Sequence, residues 1–429
     1  MTALEKCRRA DAWSDAVLGS VMDSEQLQGR DRGLAAALCY GVLQNRMLLD
    51  YVIGNASSVP MRKIEPKVLD ILRLSAYQLK FMDRIPASAA VNEGVSLCRS
   101  CGAARAAGFV NAVLRKIASS PAEFPTGTDA EALSLRYSHP KWLVEEYLKQ
   151  LGAEETEALL RSQNGETPVT LQVNTLRTGT EALCAELTER GLDARLHPFV
   201  PDCVQLRHSG ELSSLDAFRR GDFYVQDAAA KLAVLAAAPK IGMKILDACA
   251  APGGKSFAAA ILSGGAEILS CDLHENKLKR IRDGAERLCL QGIETAVMDG
   301  RTFHPEYEGK FDLVIADVPC SGLGVIRKKP DIRYKDQNDF TALPDIQLAI
   351  LRNVSRYAAP GGTLLYSTCT VRKEENESVA ETFLAENSAF AAESFTLPGV
   401  GACPSGMLQL WPQRHGTDGF FFAKMRKLK

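Results

Sequence analysis

From about residue 220 onward, short apolar runs alternate with helical stretches. The strand candidates recur in order, at 244–249, 268–272, 295–299, 311–317 and 362–369. Helical patterns separate them, notably Lys277–Cys289 and Pro344–Ala358. Regular alternation of strand and helix predicts an α/β fold, in which helices cover both faces of a mostly parallel sheet.

The remainder of the chain predicts two further domains. A chain of 429 residues exceeds what a single hydrophobic core organises. Residues 1–125 have the apolar spacing of helices and almost no strand alternation, which predicts an all-α domain. The stretch 119–129, rich in Pro, Ser and Thr, predicts a linker. Residues 135–220 then predict a small α/β connecting module, and residues 221–429 the large α/β domain.

Composition and charge indicate the cellular compartment but do not identify the binding partner. The net charge of −1 and pI of about 6.6 count mildly against a nucleic-acid partner. A local basic cluster, Arg327–Lys335, could still attract a polyanion. No apolar run reaches the ~18 residues that a membrane span needs, and the N-terminus is polar. Several of the 12 cysteines have apolar neighbours, which indicates reduced thiols, so we predict a cytoplasmic protein without a membrane partner.

A Gly-rich turn follows the first strand of the large domain. In parallel sheets, ligands bind at the carboxyl ends of the strands, where the strand order reverses. The turn, Ala250–Ser256, is neither a phosphate loop nor a dinucleotide-binding motif. It predicts either a site for a nucleotide without a pyrophosphate or a tight turn without a ligand.

Two acidic residues extend this candidate nucleotide site. Asp272 ends the second strand, where it could accept both ribose hydroxyls of an adenosine or simply begin a helix. Asp299 ends the third strand, where it could hold the adenine amino group or form a turn with Gly300. Their order, at successive strand ends after the Gly-rich turn, favours one shared ligand.

Two cysteines differ from the others because they follow strands at the ligand edge. Cys320 follows the fourth strand and Cys369 the fifth, at loop starts where function concentrates. Most of the other cysteines are better interpreted as small buried hydrophobes. No metal site is predicted, since Cys98 and Cys101 have no second pair and the 6 histidines lack ligand spacing.

These motifs together resemble those of the RNA cytosine-C5 methyltransferases of the NOL/NOP2/Sun family. The resemblance covers about residues 220–429. It rests on Leu246-Asp-Ala-Cys-Ala-Ala-Pro-Gly-Gly-Lys-Ser, Asp317-Val-Pro-Cys-Ser-Gly and Ser367-Thr-Cys-Thr, with Tyr224-Val-Gln-Asp and Asp418-Gly-Phe-Phe-Phe-Ala as flanking motifs. The N-terminal part resembles the NusB-type helical RNA-binding domain. That combination is typical of bacterial enzymes that methylate small-subunit (16S) ribosomal RNA.

The resemblance implies a Rossmann-like domain that binds S-adenosylmethionine and methylates RNA. It implies that Cys369 is the nucleophile, that Cys320 assists product release and that Asp317 lies between cofactor and target base. Asp272 would bind the ribose and Asp299 the adenine. The cofactor pocket would be lined by consecutive residues, Cys249, Ala250, Ala251, Pro252, Gly253, Gly254 and Lys255.

Chemistry adds requirements to these roles. A cysteine attacks as a thiolate, and its ordinary pKa of ~8.5 must be lowered by a cation or a dipole; Lys255 is a candidate for Cys369. Asp317 could donate a proton near N3 of the base if burial raises its pKa. The cluster Arg327–Lys335 could hold nearby phosphates or be a solvated loop face.

Other functions remain open at this level. A DNA cytosine-C5 methyltransferase would use Cys320 as the nucleophile, but no Glu-Asn-Val motif occurs in the chain. An adenine amino-methyltransferase would carry an aromatic residue in place of that thiol. The RNA could be a tRNA, or the chain could be a non-catalytic RNA-binding assembly factor. Nothing in the sequence demands more than a monomer.

Overall fold

The computed structural model describes residues 1–9, 14–120, 124–207 and 210–428. Residues 121–123, inside the predicted linker, lie outside the described residues. Within the described ranges, no helix has both the length and the apolar character that crossing a membrane requires. The chain forms two compact units, one of Met1–Gly165 with Ile326–Lys335 and one of Glu166–Val325 with Asp336–Lys429.

The first unit is helical, as its apolar spacing predicted. Its helices are α1 (Thr2–Arg9), α2 (Ser14–Ser24), α3 (Gly29–Gln44), α4 (Arg46–Ala56), α5 (Pro66–Phe81), α6 (Ala87–Ser100), α7 (Ala107–Ser119), α8 (Ala130–Tyr137), α9 (Lys141–Leu151) and α10 (Ala153–Gln163). Helices α1–α7 surround one core that contains Leu49, Ile71 and Leu114. Helix α8 begins where the Asp129 side chain accepts two backbone N–H bonds, which satisfies donors that have no partner inside the helix.

The second unit begins with a small antiparallel sheet of order β2-β3-β1-β4. Its elements are β1 (Val169–Val173), α11 (Thr180–Glu189), β2 (Asp193–Leu196), β3 (Cys203–Arg207), α12 (Asp216–Arg219) and β4 (Phe223–Val225). This confirms the small α/β module. Sequence analysis did not predict strand β2, which lies at the sheet edge and lacks a buried alternating face.

The larger sheet has the order β10-β14-β9-β8-β5-β6-β7. The elements of this part of the chain are α13 (Ala228–Ala237), β5 (Lys244–Asp247), α14 (Gly254–Ser263), β6 (Glu267–Asp272), α15 (Glu275–Arg287), β7 (Ile293–Val297), β8 (Phe311–Asp317), α16 (Leu343–Val354), β9 (Ala358–Thr368), α17 (Glu377–Glu386), β10 (Phe390–Ala392), β11 (Phe395–Leu397), β12 (Gly401–Cys403), β13 (Met407–Leu410), α18 (Pro412–His415) and β14 (Phe420–Lys427). Strand β13 joins the larger sheet beside β14, whereas β11 and β12 form a separate two-stranded sheet. Strands β5 to β9 are mutually parallel, which confirms the prediction, and β14 adds antiparallel to β9.

The strand order reverses between β5 and β8. From β5 the chain proceeds outward through β6 to β7, then returns to form β8 on the other side of β5. Such a reversal opens a crevice at the carboxyl ends of the two strands. The Gly-rich turn follows β5, and Asp317 ends β8, so both lie at this edge.

A segment between β8 and α16 belongs to the first unit. Residues 326–335 include Arg333, which is fully buried there. Its Nη1 atom donates to the carbonyl oxygens of Gln44 and Ser138, at 3.0 and 3.2 Å, and to Oδ1 of Asn164 at 2.9 Å. The prediction that the cluster Arg327–Lys335 holds phosphates is therefore wrong for Arg333, because its guanidinium is already bound by backbone oxygens in the protein interior.

Candidate active site

The Gly-rich turn packs tightly against its own domain. Gly253 has φ +109°, and a Cβ atom there would lie 2.6 Å from the Phe257 ring. A Cβ atom on Gly254 would lie 2.3 Å from the amide nitrogen of Gln226. The left-handed backbone and the Phe257 ring therefore favour glycine at position 253, whereas a larger residue at position 254 would displace the Gln226 side chain.

Asp247 lies at the end of β5, beneath this turn. It is fully buried, and its Oδ2 atom accepts a hydrogen bond from Ser256, whose own hydroxyl accepts one from Ser270. Burial raises the pKa of Asp247 to about 7. Its Oδ1 atom has no hydrogen-bond partner among the described residues. Sequence analysis did not assign Asp247 a role, although it lies two residues before Cys249, where the predicted cofactor pocket begins.

Asp272 and Asp299 lie at neighbouring strand ends, as their sequence positions indicated. The Oδ1 atom of Asp272 accepts the backbone N–H of His274 at 3.1 Å, while Oδ2 makes no hydrogen bond within the described residues. Asp299 instead binds Arg301 through both oxygens, at 3.0 and 2.8 Å, and this pairing lowers the pKa of Asp299. A ligand at Asp299 would therefore share an acceptor that Arg301 already uses.

Lys255 and Asp317 form an ion pair across the crevice between β5 and β8. Lys255 Nζ lies 2.7 Å from Asp317 Oδ2, and the Ser367 hydroxyl donates to Asp317 Oδ1 at 2.8 Å. This differs from two sequence-based expectations: Lys255 pairs with a carboxylate and not with Cys369, and about a third of the Asp317 side chain, 33%, is exposed. No sequence pattern connected Ser367 to this pair.

The two cysteines that sequence analysis singled out lie side by side. The Sγ atoms of Cys320 and Cys369 are 3.1 Å apart, and both thiols are free. The backbone N–H of Cys369 also points at Cys320 Sγ, at 3.3 Å. The hydrogen bond to Cys369 and burial together raise the pKa of Cys320 well above its ordinary value. Either thiol of this pair can donate the hydrogen bond to the other sulfur.

Two glycines hold the backbone around the second cysteine. The Gly324 N–H donates to the carbonyl oxygen of Cys369 at 3.0 Å, and the Gly419 N–H donates to Gly324 at 2.9 Å. A Cβ atom on Gly324 would meet the Gly419 carbonyl. The flanking motifs also meet, since Asp227 accepts the backbone N–H of Asp418 at 3.0 Å. Loops distant in sequence thus converge on Cys369.

Models of known families match three successive parts of the chain. The NusB family matches residues 1–119, and a ferredoxin-like domain of RsmF/B-like methyltransferases matches residues 139–213. The family described as 16S rRNA methyltransferase RsmB/F matches residues 234–426.

Curated relatives match over nearly the full length. A Bacillus subtilis (strain 168) protein named "Probable ribosomal RNA small subunit methyltransferase B" is 37% identical, with 100% of this chain and 97% of that protein covered. An Erwinia tasmaniensis "Ribosomal RNA small subunit methyltransferase B" is 34% identical over 93% of this chain and 91% of its own.

Solved structures share the fold. The crystal structure of PH0851 has a TM-score of 0.83 and 26% identity, covering 99% of this chain and 97% of its own. A methyltransferase homolog from Pyrococcus horikoshii has a TM-score of 0.60 and 26% identity, covering 71% of this chain and 100% of its own.

Proposed function

The chain belongs to the 16S rRNA methyltransferase RsmB/F family, and from this premise we propose that it transfers a methyl group from S-adenosylmethionine to carbon 5 of a cytosine in RNA. The proposed substrate is small-subunit ribosomal RNA, because the relatives are named for it and the NusB family matches residues 1–119. The proposed nucleophile is Cys369.

The observation that carries this proposal is the pair of thiols at the carboxyl edge of the sheet. Carbon 5 of cytosine is a poor nucleophile until a thiolate adds to carbon 6. The sulfur pair, 3.1 Å apart, offers one thiol to attack and one to donate. Cys320 donates its S–H to the Cys369 thiolate and so stabilises the charge that the attack requires.

Three protein side chains besides Cys369 have roles in the reaction at the cytosine. The Cys369 thiolate forms a bond to carbon 6, and the electron pair of the carbon 5–carbon 6 double bond becomes available at carbon 5 for methylation. Asp317 accepts a hydrogen bond from the exocyclic amino group of the cytosine, and Lys255 fixes the carboxylate. The carbon-5 proton then passes to solvent, the double bond re-forms and the carbon–sulfur bond breaks. Cys320 stabilises the departing thiolate by donating to it once more.

The residues beneath the Gly-rich turn fit an adenosine-type cofactor. Within the part of the chain that the structure describes, the buried Asp247 Oδ1 atom has no partner, and Asp272 Oδ2 is available at the adjacent strand end. Residues Cys249–Lys255 would surround the cofactor, Asp272 would bind its ribose and Asp299 its adenine. When bound, S-adenosylmethionine supplies the electrophilic methyl group.

Cysteine variants test the assignment. The RNA is taken from a strain lacking this gene, and tritiated methyl transfer is followed by bisulfite mapping. Cys369→Ala should abolish both methyl transfer and a denaturant-stable protein–RNA adduct. Cys320→Ala should keep the adduct but release it slowly, so that it accumulates, whereas Cys320→Ser should partly restore release because a hydroxyl still donates.

Two controls sharpen this experiment. Cys289→Ala removes an exposed thiol and should leave turnover unchanged. RNA containing 5-fluorocytidine should trap the wild-type adduct, because carbon 5 then lacks a removable proton. The proposal fails if Cys369→Ala still forms the adduct and Cys320→Ala does not, which is the pattern of a DNA-type enzyme. Binding of S-adenosylmethionine with no transfer to any RNA would indicate a non-catalytic assembly factor.

A further inference from the structure

A buried carboxyl group lies behind the two cysteines. Glu375 follows Cys369 by six residues and is fully buried. Its Oε2 atom accepts the backbone N–H of Ser321, the residue after Cys320, at 2.9 Å. The same oxygen accepts Gln347 Nε2, also at 2.9 Å. Glu375 lies in the loop that follows Cys369. Through Ser321 it therefore holds the loop that contains Cys320 in place.

Further hydrogen bonds make this arrangement rigid. Gln347 Nε2 also donates to the Pro319 carbonyl oxygen at 2.9 Å, so one amide holds the residue before Cys320 and the carboxyl group behind it. The Tyr366 hydroxyl donates to the Glu375 backbone oxygen at 2.5 Å. The hydroxyls of Ser321 and Thr370 join the two loops directly, at 2.7 Å. Neither cysteine loop can move without breaking bonds to the other.

The charges around Cys320 are unevenly distributed. The groups that face it are Cys369 at the end of β9, Glu375 in the next loop and Tyr366 on β9. The guanidinium of Arg372 lies near the other carboxylate oxygen of Glu375, with 3.8 Å between Nη1 and Oε1, and Lys255 in the crevice is paired with Asp317. The hydrogen bond to Cys369 and burial contribute most to the raised pKa of Cys320, and the negative charge of Glu375 raises it further.

We propose that Glu375 is a positioning residue that keeps Cys320 in the neutral, donating form, so that Cys369 is the thiol that ionises. Two adjacent thiols of equal acidity would share one negative charge, and half of the molecules would carry it on the wrong sulfur. A carboxylate fixed on the backbone N–H of Ser321, the residue after Cys320, breaks this symmetry. This inference rests on the proposed function, since it explains why Cys369 and not Cys320 attacks.

Site-resolved alkylation tests the inference without RNA or cofactor. The full-length protein is pulsed with iodoacetamide at a series of pH values, and mass spectrometry measures the modification of each cysteine separately. In the wild type, Cys369 should react at a lower pH than Cys320. Glu375→Gln keeps the shape and an acceptor for Ser321 but removes the charge, and should lower the alkylation midpoint of Cys320 by about one pH unit.

Matched variants separate charge from packing. Glu374→Gln makes the same change one residue away, where 60% of the side chain is exposed, and should leave the midpoint unchanged. Cys369→Ser removes the influence of the neighbouring sulfur. When Glu375→Gln is added to this variant, the alkylation midpoint of Cys320 should fall by the same amount as in the wild-type background. Glu375→Asp keeps the charge and should keep the wild-type order of the two thiols even if turnover falls.

Three results would overturn the inference. The first is that Cys320 reacts at a lower pH than Cys369 in the wild-type protein. This measurement needs no variant, so it does not depend on whether Glu375→Gln folds. Another is an unshifted Cys320 midpoint in a folded Glu375→Gln protein. The third is an equal shift in Glu374→Gln. The alkylation assay contains no RNA, so a negative result there does not affect the test of methyl transfer. If methyl transfer fails instead, the order in which the two thiols react can still be measured.

Discussion

At the scale of single residues, burial changes the chemistry of a carboxyl group far more than its sequence neighbours do. Asp247, Asp272 and Asp317 each end a strand of the same sheet. Asp247 is enclosed completely, and burial raises its pKa to about 7, while Asp317 at the end of β8 remains partly exposed and paired with Lys255. The three carboxyl groups look alike in sequence, so their different environments give them different roles.

Asp247 should make stability depend on pH. Its folded-state pKa lies above that of the unfolded chain, so the folded protein retains a proton that the unfolded chain releases between about pH 4 and 7. Stability from this group is therefore present at low pH and is lost as pH rises through about 7. In urea unfolding, the free energy of unfolding of wild type minus that of Asp247→Asn should fall by about 2–3 kcal/mol from pH 5 to pH 8.

An exposed carboxylate provides the comparison. Asp283→Asn on α15 removes the charge of a side chain that is 59% exposed. The difference in unfolding free energy between this variant and wild type should not change with pH across the same range. A constant difference for Asp247→Asn as well would contradict the raised pKa.

At the scale of elements, helix α14 is bounded by two glycines that are needed for different reasons. Gly253 precedes it with φ +109° and has the Phe257 ring against its Cα atom. Gly264 follows it with φ +68° and has open space where a Cβ atom would lie. The first position therefore combines backbone strain with a steric limit, and the second involves the backbone alone.

Alanine at each end of α14 should separate these effects. Gly264→Ala should cost about 1 kcal/mol of unfolding free energy, the cost of a left-handed backbone. Gly253→Ala should cost a further ~1–3 kcal/mol, because the ring must move, and should weaken S-adenosylmethionine binding at least about tenfold. Urea unfolding and calorimetry measure the two quantities. Equal losses in both variants would mean that the ring gives way without cost.

At the scale of the whole chain, the division into units does not follow the order of the sequence. Residues 326–335 come after β8 and before α16, both in the second unit, yet belong to the first. Arg333 is enclosed there among carbonyl oxygens, and burial lowers its pKa to about 10, which leaves it protonated at neutral pH. The Tyr334 hydroxyl adds a bond to the Leu43 carbonyl at 2.7 Å.

Removal of the buried guanidinium should destabilise the first unit. Arg333→Met leaves several buried carbonyl oxygens without a donor, which should cost about 3 kcal/mol. Hydrogen exchange in increasing urea, resolved by peptide, should place the loss in helices α3–α4 and α8–α10. Arg352→Met, whose side chain is 52% exposed and bound to Glu386, should cost no more than about 1 kcal/mol. Similar losses in both variants would indicate that Arg333 contributes no more than a surface ion pair.

The sequence by itself determined the fold class and the position of the crevice. Alternation of apolar strands with helices requires a mostly parallel sheet, and strand ends in such a sheet share one edge. The turn at Gly253 and the two loop cysteines, Cys320 and Cys369, were identifiable because backbone and turn chemistry are local properties. Patterns of this kind report which residues are buried and where the chain turns.

Only the tertiary structure decided which groups meet. The bond from Ser321 to Glu375 spans 54 residues, and those from Arg333 to Gln44 and Ser138 span 289 and 195. No periodicity encodes such pairs, because each depends on how separately formed elements pack. Charge made Arg333 resemble a surface ligand for phosphate, and the run around Glu375 has no feature that indicates a buried acceptor. Burial and partners, which set the ionisation of these side chains, arise only when the chain has folded.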